Sequence, residues 1–177
     1  AHPWHWNKDG SSALGENQMV LSTFKWSVHT QSRTPNVKLL TEMVHSNPAW
    51  LNSATAKKLG VKDGGLIRIT SPVGYIVIKA RVTEGIHPKV VAVSNTFGTK
   101  FGRFATANKM SGGGMYGAGD DADLKNIWWK AEGVNPNDII PAVADPIGGG
   151  ATWYDTVVTV SPAQAGDNLG DGKVDNA

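Results

Sequence analysis

The sequence predicts a mainly β protein with a few short helices, folded as a small barrel or sandwich. Three observations carry this. Between Leu66 and Val93, three apolar runs are separated only by tight-turn residues. The chain holds 21 glycines and nine prolines, a density that calls for many turns. Its 177 residues are 40% hydrophobic and 18% charged, which suits one domain with a packed core.

Residues 1–18 read as an irregular, polar and aromatic N-terminal segment. The start, Ala1-His2-Pro3-Trp4-His5-Trp6, lacks a Met and reads as the interior of a longer chain, a fragment or a processed subunit. His2 and His5 have no carboxylate or thiol at ligand spacing, so they predict no metal site. Residues 19–27 alternate and predict a strand. A polar run follows, His29-Thr30-Gln31-Ser32-Arg33-Thr34, and then a helix over Asn36 to Val44 with Val37, Leu40, Met43 and Val44 as its apolar stripe. Pro35 suits the first turn of that helix, which would set Ser32 to Thr34 at its N-terminus.

Asn47-Pro48-Ala49-Trp50-Leu51-Asn52 leads into a short helix, Ser53 to Leu59. Asn52 or Ser53 can cap it, and Gly60 can end it in the left-handed conformation. Leu66 to Thr70 and Tyr75 to Val82 predict strands around the Ser71-Pro72-Val73-Gly74 turn. In the second, Ile76, Ile78, Ala80 and Val82 alternate against Lys79 and Arg81, a strand with one buried face. Val90 to Val93 is apolar throughout and predicts a strand buried on both faces. Residues 95–133 form a long glycine-rich insertion, with mobile glycines at Gly112 to Gly119 and a short helix around Trp128 and Trp129. Polar turns follow at 133–138 and 145–150. Thr152 to Ser161 predicts the last strand, and residues 162–177 a mobile tail. The principal domain is thus 19–161.

A formal charge of +2 gives no electrostatic case for nucleic acid or a membrane surface. No run approaches the roughly 20 apolar residues of a membrane span. The absence of cysteine excludes disulfides, zinc–thiolate sites and an iron–sulfur cluster held by this chain. Asp167 to Gly172 hints at a calcium loop, but Leu169 fills a ligand position and no Glu closes it. No His-Glu-x-x-His, Gly-x-Ser-x-Gly or P-loop is present, and no catalytic set emerges.

The polar run is the chemical focus. Arg33 offers a planar donor fork matched to phosphate, and Thr30, Ser32 and Thr34 offer hydroxyls. A helix cap with a solvated arginine has the same composition, so the residues alone leave both readings open. Together with the Asn- and Gly-bearing loops, they favour binding a large polar cofactor over acid–base chemistry.

Lys25 with His29-Thr30-Gln31-Ser32-Arg33-Thr34 resembles the start of the molybdopterin-dinucleotide-binding domain of the dimethyl-sulfoxide-reductase family. The likeness continues through Asn47 to Asn52, Ala56 to Gly64, Ile69 to Gly74, Val82 to Val91, Asn135 to Asp138 and Asp145-Pro146. The resemblance implies a six-stranded double-psi β-barrel and, in the intact enzyme, bis(molybdopterin guanine dinucleotide) with molybdenum or tungsten. It implies that Lys25, His29, Thr30, Gln31, Ser32, Arg33 and Thr34 line the pterin–pyrophosphate region, with Asn95, Gly98, Asn135 and Asn137 nearby. It supplies no catalytic residue and no metal ligand from this chain, which alone would be inactive. Partners would be an iron–sulfur electron-transfer subunit and the remaining domains of the catalytic polypeptide. The protein would be bacterial or archaeal, periplasmic or cytoplasmic. Family members often carry His at the position of Asn95, Arg at that of Lys25, and Lys where Asp155 follows Tyr154. The form of the polar run and the long insertion look most like the branch acting on sulfur or arsenic oxyanions. A barrel of the same fold used only for protein contact is the competing reading. An aspartic hydrolase is not, since Asp155-Thr156-Val157 is no Asp-Thr/Ser-Gly motif.

Overall fold

The computed structural model describes residues 9, 11–35, 37–98, 133–151, 153–154 and 156–174. Most of the insertion, including Gly112 to Gly119, Trp128 and Trp129, lies outside these residues, as do His2 and His5.

Among the described residues there are seven strands and two short α-helices. They are β1 (Gln18–Phe24), α1 (Lys38–Met43), β2 (Ala49–Asn52), α2 (Ser53–Leu59), β3 (Leu66–Ser71), β4 (Gly74–Thr83), β5 (Val90–Ser94), β6 (Val157–Pro162) and β7 (Gly172–Val174). The strands run β2-β5-β1-β6-β3-β4, and pairing of β4 with β2 closes the ring. The result is a closed six-stranded double-psi β-barrel. Two of its seams are parallel: β1 with β5, Val20 opposite Val90 through Phe24 opposite Ser94, and β2 with β4, Ala49 opposite Ala80 through Asn52 opposite Thr83. The other four are antiparallel.

Period-two alternation builds the core. Met19 and Leu21, Ala49 and Leu51, Ile67 and Ile69, Ile76 and Ile78, Val91 and Val93, and Val158 and Val160 all point inward and are essentially inaccessible. Val134, Ile139 and Ala56 pack against this cluster. Each large aliphatic side chain buried this way contributes about 1.5–3 kcal/mol. β5 is buried along four of its five residues, as its continuous apolar run predicts.

Several local expectations need correcting. Ala49–Asn52 leads directly into α2 as expected, but is itself a strand. The polar run does not sit at the N-terminus of α1. Gln31–Arg33 makes its own 3-10 turn, and α1 begins only after Val37. The buried face of α1 also differs: Val37, Leu39 and Met43 are exposed, while Thr41 is buried. Its hydroxyl donates back to the carbonyls of Val37 and Lys38 at 3.0 Å, so a polar residue can be inside at little cost. α2 keeps its predicted ends. Asn52 accepts from the Ala54 N–H at 2.9 Å, and Gly60 is left-handed at φ 69°.

The last ring strand starts at Val157 rather than Thr152, and Trp153 and Tyr154 are turn residues. Within 162–177, β7 pairs antiparallel with the first residues of β4, Gly74 opposite Val174 and Ile76 opposite Gly172. β2 pairs with Ala80 to Thr83 of β4, and between the two short strands Val77 bonds to Gly170 and Asp171. Arg68 donates through Nε to Asp167 Oδ2 at 3.1 Å and through Nη2 to Oδ1, with its guanidinium 4.0 Å from the Tyr75 ring centre. Asp167 also accepts from Gln164 N, and Asp171 from Asn168 N, both at 2.7 Å. These carboxylates of the calcium-like stretch are therefore engaged within the protein.

Candidate functional site

β1 and β5 are parallel neighbours, so both release their chains at the same end of the barrel. Phe24 is followed by the loop carrying the polar run, and Ser94 by Asn95-Thr96-Phe97-Gly98. Asn95 N donates to Phe24 O at 3.0 Å and ties the two exits together. A cleft of about 510 Å³ opens there, lined by Thr23, Gln31, Asn95, Thr96, Phe97, Gly98, Asn135, Asn137, Trp153 and Tyr154.

Five residues named from the sequence meet in this cleft: Gln31, Asn95, Gly98, Asn135 and Asn137. They come from three segments far apart in the chain. Gln31 has φ 49° and, among the described residues, is the only non-glycine with positive φ. Such a backbone is strained for a residue with a Cβ, of order 1–2 kcal/mol, and strain of this kind collects at ligand sites. Gly98 is required where it stands. At φ 85°, a Cβ there would run into the backbone of Val134 and Asn135.

His29 and Thr34 do not line this cleft. His29 is buried, edge-on to Phe97 with ring centres 5.2 Å apart. Its Nε2 lies 2.8 Å from Val44 O and its Nδ1 3.1 Å from Thr34 Oγ1. A carbonyl only accepts, so Nε2 donates to it. The same hydroxyl accepts from Thr30 N at 2.8 Å. This chain of bonds spans the 3-10 turn and holds Gln31 at the rim. Thr30, Arg33 and Lys25 are exposed and do not line the cleft, and Ser32 lies in the same turn.

Asn135 caps the 3-10 turn Pro136–Ile139. Its Oδ1 accepts from Asn137 N at 3.1 Å and its Nδ2 donates to Asp138 at 3.2 Å. The Asn137 residue is exposed at the opening.

Sequence reasoning missed the residue that assembles these parts. Asn47 is buried; its Nδ2 donates to Ser94 O at 2.8 Å and Val134 O at 2.7 Å, and its Oδ1 accepts from Val134 N at 3.0 Å. It thereby fastens the end of β5 to the segment bearing Asn135 and Asn137. Its only sequence signal was membership of the Asn47-Pro48 motif. Trp153 and Tyr154, at 55% and 60% exposure, form the aromatic wall, with ring centres 6.2 Å apart.

Among the described residues, no side chain lining the cleft carries a charge. The arrangement can hold a ligand through amides, hydroxyls and aromatic faces; among the described residues it offers no acid–base pair and no cluster able to hold a metal ion. A second hollow of about 380 Å³, beside Ser46 to Pro48 and Lys79 to Arg81, contains none of the residues named for the site from the sequence. Its one carboxylate, Asp63, accepts from Val82 N at 2.7 Å.

Residues 19–157 match the family model described as the molydopterin dinucleotide binding domain. The chain is 28% identical over 76% of its length to the thiosulfate reductase molybdopterin-containing protein PhsA of Salmonella typhimurium, covering 15% of that protein. It is 32% identical over 82% of its length to a selenate reductase polypeptide of Mesobacillus selenatarsenatis, again covering 15%. It is 37% identical over 56% of its length to the arsenate respiratory reductase molybdopterin-containing protein ArrA of Chrysiogenes arsenatis, covering 10%. The chain thus spans about one seventh of the first and second of these relatives and less of the third. The solved structure of acetylene hydratase from Pelobacter acetylenicus shares the fold, with a TM-score of 0.59 and 13% identity, over 82% of this chain and 18% of that one.

Proposed function

The chain belongs to the molydopterin dinucleotide binding domain family, and from that premise we propose that it is the cofactor-covering domain of a larger molybdenum or tungsten oxidoreductase. The observation that carries this is the convergence of Gln31, Asn95, Gly98, Asn135 and Asn137 on one cleft. A barrel used only for protein contact would not need those groups gathered there.

The residues present fit bis(molybdopterin guanine dinucleotide). Amides that both donate and accept suit the edges of a pterin or guanine, and the aromatic wall suits their faces. The bound group would supply the two-electron redox chemistry. This chain's residues would bind and orient it. Gln31, Asn95 and Asn137 would contact its heterocycle, while Arg33 and Lys25, on the exposed flank of the polar run, would meet its phosphates. Asn47 and His29 would position those contacts without touching the group. Phe97 and Trp153 would keep water from the heterocycle.

A small oxyanion of sulfur, arsenic or selenium is the substrate class, supported by the relatives named for thiosulfate, arsenate and selenate. Its partners would be an iron–sulfur electron-transfer subunit and the other domains of the catalytic polypeptide. The test is the complete native polypeptide, assayed for metal by elemental mass spectrometry and for pterin by fluorescence after oxidation. Both should be present, and a product holding neither would refute the proposal. Arg33→Ala should weaken cofactor retention about tenfold, the size of one charge-assisted contact. Wild-type molybdenum content in that variant would remove Arg33 from the site.

A further inference from the structure

The exposed apolar side chains are not scattered over the barrel. Among the described residues eight large ones stand in solvent, and seven of them fall in two short segments. Val37, Leu39 and Met43 occupy the segment that follows the polar run. Four more occupy residues 143–154, the segment that ends in the aromatic wall of the cleft, and Val174 alone lies elsewhere. Single exposed apolar residues are ordinary, but clusters of them mark surfaces that another surface covers.

α1 is arranged for such a cover. Leu39 and Met43, at i and i+4, share one helix face at 69% and 57% exposure, while Thr41 turns inward. Six residues are too few to hold a helix through backbone bonds alone, and the one buried side chain of α1 is polar. The helix is nevertheless fixed to the polar run beside the cleft. Val37 N donates to Thr34 O at 2.9 Å, and Val44 O accepts from His29 Nε2 at 2.8 Å. The second segment is a closed hairpin. Ala144 bridges Ala151, Asp145 N donates to Gly150 O at 2.7 Å, and Gly149 N donates to Asp145 O at 2.8 Å. Ile147 at its tip is 96% exposed. Formed hydrogen bonds, not slack chain, hold these apolar groups outward.

The identity of the cover follows from chain length. This chain accounts for 15% of two of its relatives. In a polypeptide of that size, the remainder is tethered to this domain and meets it at an effective concentration that a free partner rarely matches. An i, i+4 pair of apolar side chains fits a hydrophobic groove.

We propose that Leu39, Met43 and Ile147 are the anchors of one docking surface, seated on an apolar surface of another domain of the same polypeptide. The proposal rests on the cofactor-domain reading and adds to it the contact that holds the domain in place. The anchors are separate from the residues that line the cleft.

The test uses the complete polypeptide and hydroxyl-radical oxidation, each residue being compared with its own rate after unfolding in urea. Met43 should be oxidised as slowly as the core residue Met19, and Leu39 and Ile147 should lose most of their reactivity. A photo-activated methionine analogue at position 43 should cross-link to a peptide of the same polypeptide outside these 177 residues. In the double variant Leu39→Glu, Met43→Glu, a charge opposes docking, and both positions are exposed in this domain, so its core is not disturbed. Ile147 should then become reactive while Met19 stays slow.

Oxidation of Met43 at its unfolded rate in the native wild type would overturn the proposal. So would an Ile147 that stays protected in the double variant, since the two segments would then not form one surface. A cross-link to a peptide within these residues, to a second copy or to a separate subunit would overturn it as well. A wild-type polypeptide that holds no pterin ends the cofactor-domain reading itself, whereas one that holds pterin but leaves Met43 freely oxidised ends only the present inference.

Discussion

Asn47 is the residue on which the cleft geometry depends most. It makes three buried hydrogen bonds to partners 47 and 87 positions away, to Ser94 O and to both backbone groups of Val134. Alanine would leave two carbonyls and one N–H without partners and open a small void. Asn47→Ala should therefore cost about 3 kcal/mol in chemical denaturation, more than an exposed Asn→Ala change. A loss under about 0.5 kcal/mol, the scale of an ordinary surface change, would show that water or rearrangement replaces the clamp. Nothing local in the sequence announces this role, because the bonds join segments that only the closed barrel brings together. The same limit applies to Gln31, whose left-handed backbone leaves no trace in residue type. The chemistry of the polar run was legible as a set of donors. Its division into His29 and Thr34 inside, Gln31 at the rim, and Thr30 and Arg33 outside depends on backbone angles that composition does not encode.

Elements were legible where apolar periodicity and turn chemistry agree. β3, β4 and β5 satisfy both, and so does α2 with its Asn52 cap and Gly60 stop. β2 escaped because four residues after a proline are too few to show a period. α1 misled because its stripe of Val37, Leu40 and Met43 looks amphipathic, yet Thr41 turns inward. β7 was hidden in a polar stretch that reads as tail, and its anchorage gives the pH dependence that can be tested. The Asp167 carboxyl lies below the ordinary carboxylate range, chiefly through its hydrogen bond with Arg68 and next through Gln164 N. A carboxyl lowered in the folded state stabilises fully above its unfolded pKa, about 4, and that stabilisation is lost as pH falls through the lowered folded value. Asp167→Asn should therefore melt below wild type at neutral pH, and the gap should close on acidification. A gap that stays constant from pH 7 to pH 3 would show that the pair contributes through packing rather than charge. Arg68 is correspondingly raised, with an effect only in strong alkali.

Across the whole molecule, all six ring strands feed one hydrophobic cluster, and no strand in the ring is spare. Such a structure should unfold in one cooperative transition, with near-ultraviolet and far-ultraviolet circular dichroism changing at the same denaturant concentration. Separated midpoints would mean that part of the barrel unfolds by itself. The ring order also carries a consequence for synthesis. β6 sits between β1 and β3 yet is the last ring strand to leave the ribosome, more than 60 residues after β5. Until Val157 to Pro162 emerges, β1 and β3 each present an unpaired apolar edge, the kind that recruits other chains. The nascent protein passes through a period in which its largest liability is an open seam. A holding chaperone would be most needed there, in the interval between translation of the fifth strand and arrival of the sixth.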